Sequence, residues 1–317
     1  MKSVTIAQLM AFIDLKKSGR PLRRTVILLA TAGEEAGHSD LGVRWLLREH
    51  PELTSRFWTV LTEGGIVEAS SLDQIKYWGI EFAQKQFADG VACASSEERL
   101  QDLYDDLVER LHPLSPLRVP EETRIALTSY AGSRTYPRLT RLMSHPDAVL
   151  ADLEAFRTLP DYIQSMFRDE LVPFPVERDP TGAFKLPFKV HLLPGSSLKE
   201  TLARLLPRWL TAGTSVSVGP ALGASHGSPV DSPVMEALEA TIRSEFPGVD
   251  VGPYLVPWSA TDSRFFREAG IPSYGFSPFL ILSTDTYDVD GVNERMAMPG
   301  FVRGVTLYRE AVQRLVN

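Results

Sequence analysis

Three glutamates follow two apolar runs of the chain, and their grouping could support metal-assisted hydrolysis. Glu34 and Glu35 come just after Thr25–Ala30, and Glu63 comes just after Phe57–Leu61. Ligands of open α/β sheets bind beyond the carboxyl ends of the strands, so the three carboxylates would converge if the two runs are neighbouring strands. Grouped carboxylates raise one another's pKa unless a cation neutralises them, and a divalent metal is a suitable cation. The alternative left open by the spacing is a solvated acidic loop.

The elements needed to position these glutamates can be predicted from periodicity. Apolar runs rich in branched residues, such as 25–30 and 57–61, are typical of strands buried in a parallel sheet. Further elements are predicted on both sides: a helix ending near Gly19, a helix through about His50, a helix at Pro233–Phe246, a strand around Tyr274–Phe276 and a helix from about Pro299 to Val316. Alternating helices and strands predict an α/β fold with a mostly parallel sheet.

The middle of the chain has a different pattern, which predicts an inserted α+β domain. Its predicted elements are a helix at Ser96–Leu111, a strand at Lys185–Leu193, a helix at Leu198–Leu210 and a half-exposed strand at Thr214–Val218. We therefore predict a catalytic domain in two segments, residues 1–83 and 222–317, interrupted by a lid or dimerisation domain at residues 84–221.

Composition excludes several classes of function. The chain has 317 residues, a net charge of -7 and one cysteine, Cys93, so an internal disulfide and a CxxC metal motif are excluded. The negative charge disfavours a nucleic-acid partner. No run approaches the ~20 apolar residues of a membrane span. Gln8 interrupts the N-terminal apolar run and Asp14 ends it, which argues against a signal peptide. We expect a cytoplasmic protein without a nucleic-acid or membrane partner.

Five motifs occur in a fixed order: Ala30–Gly37 (ATAGEEAG), Leu61–Gly65 (LTEGG), Leu192–Gly195 (LLPG), Ala260–Phe266 (ATDSRFF) and Gly291–Arg295 (GVNER). Together they resemble the metal-dependent peptidase and deacylase family of aminoacylase, acetylornithine deacetylase, succinyl-diaminopimelate desuccinylase and glutamate carboxypeptidase. The resemblance implies a zinc-peptidase-like catalytic domain, a lid that forms a homodimer, and a site with two zinc or cobalt ions. The implied reaction cleaves an amide bond next to a free carboxylate, in a small peptide or an N-acyl amino acid.

The same resemblance assigns roles to particular residues. Glu34 corresponds to the general base, and Glu35 and Glu63 correspond to metal ligands. Asp290 stands where the family has a histidine ligand. The implied substrate-binding loop contains Thr261, Asp262, Ser263 and Arg264, in which Arg264 could bind a substrate carboxylate through two hydrogen bonds. An alternative for Arg264 is a structural ion pair with Asp262 or Glu268.

The chain departs from the family pattern at several ligands. The family's His-x-Asp motif and its bridging Asp would both precede Met1, Asp290 replaces the last histidine, and no His-x-Ser-x-Pro motif follows Lys85. The sequence therefore predicts an N-terminally truncated or degenerate member with impaired hydrolysis. The alternative function is a catalytically dead member that acts as a dimerising binding or assembly partner.

One rival motif predicts a different enzyme. Gly223–Gly227 (GASHG) matches the G-x-S-x-G nucleophile elbow of α/β-hydrolases, with Ser225 as the nucleophile. In that fold the catalytic histidine follows the serine in chain order, and no histidine follows His226. A surface loop is the favoured interpretation.

Overall fold

The computed structural model describes residues 2–34, 41–71, 74–114, 116–132, 137–281 and 291–317. Within these ranges the strands form two sheets. The first sheet contains β1 (Val60–Thr62), β2 (Ile66–Ser71), β3 (Gln74–Gln84), β9 (Val251–Val256) and β10 (Ser273–Gly275). The second contains β4 (Gln86–Ala94), β5 (Glu170–Pro173), β6 (Glu177–Arg178), β7 (Phe184–Leu192) and β8 (Ser215–Val218).

The helices before and within the insertion are α1 (Lys2–Ser18), α2 (Val43–Glu49), α3 (Pro51–Thr54), α4 (Glu97–Leu114), α5 (Glu121–Ala131), α6 (Pro137–Ser144), α7 (Asp147–Leu150), α8 (Leu153–Arg157), α9 (Asp161–Ser165) and α10 (Leu198–Leu205). Those that follow are α11 (Pro233–Glu245), α12 (Ser263–Glu268) and α13 (Met298–Val316). Most of the helices and strands predicted from periodicity are present, with ends displaced by a few residues.

The first sheet has strand order β1-β10-β3-β2, with β9 also paired to β3. Its β1–β10 and β3–β9 pairs are parallel, whereas its β10–β3 and β2–β3 pairs are antiparallel. The predicted α/β class is confirmed, and the sheet is mixed. In the second sheet β7 and β8 flank β4, and each pairs with it antiparallel.

Helices cover the first sheet and bury its apolar side chains. Helix α1 packs on α13 through Ala7, Ala11 and Leu15, which recur every four residues and so share one face. Strand β3 contributes large buried side chains to the same core, including Trp78 and Phe82. The second sheet has a core of its own, in which α4 packs against β4 and β7.

Two of the places at which the chain passes between the two sheets are neighbours in space. Only Lys85 separates β3 from β4. The return crossing lies beside it, because the Leu222 amide donates to the Phe87 carbonyl oxygen at 2.8 Å. The division into domains at residues 1–83, 84–221 and 222–317 remains a proposal.

The buried strand predicted at Thr25–Ala30 is wrong. The segment has no strand assignment, and Ile27 and Leu28 are 42% and 37% exposed. Among the described residues β1 pairs only with β10, and no strand pair involves residues 25–30. The second predicted strand, Phe57–Leu61, is present as the shorter β1. No helix in the described ranges is long and apolar enough to cross a membrane.

Candidate active site

A small open cleft lies between the segment after residue 30 and the start of α12. Its lining consists of Ala32, Gly33, Glu34, Leu41, Asp262, Arg264 and Phe265. Glu34 was singled out from sequence as a general base, and Asp262 and Arg264 as parts of the substrate-binding loop. The fold brings all three to one cleft, although about 230 residues of chain separate Glu34 from Arg264. Glu35 and Asp290 lie outside the described residues.

Asp262 links the two walls of this cleft. Thr31 Oγ1 donates a hydrogen bond to Asp262 Oδ2 at 3.2 Å. Burial raises the pKa of Asp262, while the hydrogen bond from Thr31 and the positive charge of Arg264 act in the opposite direction. The N-terminal segment is therefore attached to the loop before α12 by a polar contact.

Arg264 is a buried cation beside carboxylates. Its guanidinium carbon lies 4.6 Å from the centroid of the Phe265 ring and 6.0 Å from that of Phe87. Burial lowers the pKa of Arg264, and the nearby carboxylates of Glu34 and Asp262 favour its charged form. Its Nε atom is buried and has no hydrogen-bond partner among the described residues. A buried donor without a partner is unfavourable, and because Arg264 lines the cleft, its guanidinium is suited to donate to an anionic ligand group.

Glu63 follows β1 and lies close to other carboxylates. Burial raises the pKa of Glu63, and the charges of Glu81 and Asp262 raise it further. The preceding residue holds the turn in place, because Thr62 Oγ1 donates to the Glu63 carbonyl oxygen at 2.9 Å. Thr62 Oγ1 also lies 2.6 Å from Ser263 Oγ, which connects the end of β1 to the start of α12.

Glu81 is a buried acid that sequence reasoning missed. Its side chain is on β3, is 0% exposed, and accepts a hydrogen bond from Arg267 Nη2 at 2.7 Å. Burial raises the pKa of Glu81. This effect is opposed by the positive charge of Arg267 and by the hydrogen bonds that Arg267 and Thr261 donate to the carboxylate. The available signal was a lone acid within the otherwise apolar run of 79–83. Buried charges are rare unless paired, so such a residue indicates a specific partner.

Two of the four residues expected to line the substrate pocket face elsewhere. Thr261 Oγ1 donates toward Glu81, with distances of 3.2 and 3.3 Å to its two carboxylate oxygens. The Gln84 side chain binds the Thr261 main chain on both sides, accepting from its amide at 2.8 Å and donating to its carbonyl oxygen at 3.1 Å. Ser263 contacts Thr62. Asp262 and Arg264 therefore face the cleft, and Thr261 and Ser263 anchor the loop from below.

A divalent metal is consistent with the chemistry of Glu63. Buried carboxylates whose pKa is raised by neighbouring acids are stabilised by a cation, and carboxylate oxygens are ordinary ligands of zinc. Over the ranges that the structure describes, no group of three or more His, Cys, Asp or Glu side chains could hold a metal ion. Glu63 is the only member of the predicted ligand set inside those ranges.

The rival nucleophile elbow is not formed. Ser225 is exposed in a loop that precedes α11 by several residues, and no strand leads directly into a helix at this serine. The strand–turn–helix geometry that exposes a catalytic serine is therefore missing from this described segment.

Comparison with known sequences identifies the class of protein to which this fold and cleft belong. The profile of Peptidase family M20/M25/M40 matches residues 1–314. The chain belongs to this family, whose members are hydrolases of the metallopeptidase and acylase type. A curated relative is the human N-fatty-acyl-amino acid synthase/hydrolase PM20D1, which is 28% identical over 138 residues. That alignment covers 42% of this chain and 27% of the human protein.

Solved structures show the same fold at low sequence identity. The di-peptidase Dug1p of Saccharomyces cerevisiae superposes with a TM-score of 0.64 at 12% identity, covering 97% of this chain and 70% of the yeast chain. The metallo-carboxypeptidase Sso-CP2 of Sulfolobus solfataricus gives a TM-score of 0.61 at 12% identity, covering 98% of this chain and 75% of that chain. At these low sequence identities, the similarity to the two structures shows a shared fold.

Proposed function

We propose that this chain hydrolyses an amide bond next to a free carboxylate, in the cleft between residues 31–34 and the start of α12. The observation that carries the proposal is the convergence of an acid, Glu34, and a buried cation, Arg264, on this one cleft. An amide hydrolase needs a proton acceptor beside the scissile bond and a group that fixes the substrate.

The two residues would have complementary roles. The Arg264 guanidinium, whose Nε lacks a partner among the described residues, binds the substrate carboxylate and fixes the amide bond in the cleft. Glu34 then takes a proton from the attacking water and delivers it to the nitrogen of the leaving amine. Asp262, bonded to Thr31, keeps the two walls of the cleft together.

We further propose that Glu35, Glu63 and Asp290 hold a divalent ion, zinc or cobalt. When bound, such an ion polarises the amide carbonyl and lowers the pKa of the attacking water. The support from this structure is the buried, acid-rich surroundings of Glu63.

Two substrate classes fit the proposal. The human relative is named for N-fatty-acyl amino acids, and the yeast and archaeal structures are those of a di-peptidase and a carboxypeptidase. N-acyl amino acids and dipeptides share an amide bond one carbon away from a carboxylate, so both present the anion that Arg264 would bind.

The test is an assay of the purified chain on N-acyl amino acids and dipeptides with added Zn²⁺ or Co²⁺. We expect metal-dependent turnover that a chelator abolishes. Glu34→Gln should lower kcat by about 10²–10⁴-fold, because it removes the proton acceptor. Glu268→Gln, an exposed change on α12, is the matched control and should retain full activity.

Two outcomes would contradict the proposal. Turnover that survives Glu34→Gln would mean that another group accepts the proton. No turnover with either metal would instead favour the impaired family member that serves as a dimerising binding partner.

A further inference from the structure

The carboxylate of Glu81 lies directly beneath the loops that form the candidate site. It is held by Arg267, which also donates to the main-chain oxygens of Phe82 at 3.2 Å and Ser273 at 3.0 Å. Arg267 is therefore anchored independently of Glu81. Within the described ranges, the other hydrogen bond to the Glu81 side chain comes from Thr261, which is the residue just before Asp262.

The opposite side of the carboxylate fills a space that two glycines leave open. A Cβ atom added at Gly64 would lie 2.1 Å from Glu81 Oε2, and one added at Gly275 would lie 2.3 Å from the same oxygen. Gly64 has φ of +123°, so its backbone also favours glycine. The turn that carries Glu63 and the end of β10 thus both pack against this one carboxylate oxygen.

We infer that Glu81 is a positioning residue that sets the distance between Glu63 and the Asp262–Arg264 loop. One of its faces binds the loop through Thr261, and the other supports the turn after β1 through Gly64. The inference rests on the proposed function, because it assigns importance to that distance only if both loops act on one substrate.

If the Glu81–Arg267 ion pair served only to stabilise the core, its replacement would affect the protein differently than the loss of a positioning residue would. Apolar residues of similar volume often replace a buried ion pair with little change in stability. Such a replacement would still remove the acceptor for Thr261, so fold stability and loop position can be separated by experiment.

The experiment compares three variants by hydrogen exchange and thermal melting, without metal or substrate. Thr261→Val removes the hydroxyl that donates to Glu81 and retains the ion pair, whereas Thr261→Ser retains the hydroxyl and is the matched control. The double variant Glu81→Leu/Arg267→Met removes both charges. For the valine and double variants we expect amide exchange in residues 259–265 to rise by roughly tenfold or more, since a hydrogen bond to a charged group is lost. Exchange in α11 should not change, and Thr261→Ser should match the wild type.

The result that would overturn the inference is wild-type exchange of residues 259–265 in Thr261→Val. That variant decides the question even if the double variant does not fold, because it leaves the Glu81–Arg267 pair intact. If the double variant folds and protects both loops as the wild type does, Glu81 is only a structural partner of Arg267. A failure of the proposed function would instead be seen in the turnover assay, which is independent of the exchange measurement.

Discussion

Burial acts on the acids and the cation of the cleft in opposite directions. It raises the pKa of Glu63 and Asp262, which favours protonation, and lowers the pKa of Arg264, which favours loss of its proton. The proximity of Asp262 and Arg264 partly offsets both effects for this pair, because each charge stabilises the other. Asp262 therefore helps to keep Arg264 charged, and Arg264 helps to keep Asp262 ionised.

His191 is a buried histidine outside the lining of the cleft, and it predicts a pH dependence of stability. Burial lowers the pKa of His191 to about 4, with a further lowering by the charge of Lys85 and Lys189 and an opposing effect of Glu170. The folded pKa lies below the ordinary value of 6.5, so the folded state favours the neutral ring. Its contribution to stability is complete above pH 6.5 and is lost as the pH falls toward 4.

The measurement is the free energy of unfolding in urea at a series of pH values between 8 and 3.5. Changing His191→Phe should flatten the curve between pH 6.5 and 4, by up to roughly 3 kcal/mol at the acid end. Phenylalanine is suited to the position because His191 already packs on the Phe87 ring at a centroid distance of 4.5 Å. Parallel curves for the variant and the wild type would show that His191 does not titrate in this way.

Individual residues of the candidate site could be singled out from sequence only where a motif contains them. Glu34, Glu63, Asp262 and Arg264 lie in ordered motifs, and the structure describes three of them at one cleft and Glu63 in electrostatic contact with Asp262. Glu81 belongs to no such motif, and its role depends on packing against glycines from distant parts of the chain. A contact of this kind has no local signature in sequence.

At the level of elements, the run at 25–30 shows why a buried strand cannot be predicted from composition alone. Branched apolar residues favour extended backbone, but a strand also requires a neighbour with which to exchange hydrogen bonds. Among the described residues, no strand pairs with residues 25–30. The helices were predicted more accurately because their backbone hydrogen bonds are local and their buried faces recur at a fixed period.

The exposure of residues 25–30 can be tested by two matched substitutions. Leu28→Ala should lower the free energy of unfolding by less than about 1 kcal/mol, because much of the side chain is already in water. Leu238→Ala on α11 should cost about 2–5 kcal/mol, since that leucine is fully buried and its loss leaves a cavity. Urea titration of both variants gives the comparison, and a loss at Leu28 as large as that at Leu238 would mean that the run is buried in solution.

At the scale of the whole molecule, we propose that the second sheet forms a homodimer through its edge strand. Strand β8 is described as paired only with β4, and Val216 on it is exposed. An unpaired strand edge can pair with another chain. In the proposed dimer, two copies of β8 would pair with each other.

Sedimentation velocity of the full chain tests this assembly. We expect a dimer that Val216→Lys converts to monomer, because a lysine on an edge strand opposes pairing. The control is Val302→Lys, at an exposed valine on α13, which should leave the dimer intact. A wild-type chain that sediments as a monomer at all concentrations would contradict the proposal.

The continuity of β3 and β4 determines how the two sheets can move. Lys85 is attached to both of them: its amide donates to the Val256 oxygen in the first sheet at 3.3 Å, and its Nζ donates to Glu170 in the second at 2.8 Å. Sliding of one sheet past the other would strain the continuous backbone between β3 and β4, so we expect any relative motion of the two sheets to occur as a pivot at Lys85. A pivot that lengthened the buried contact between Lys85 and Glu170 would be opposed by the attraction between these two charges.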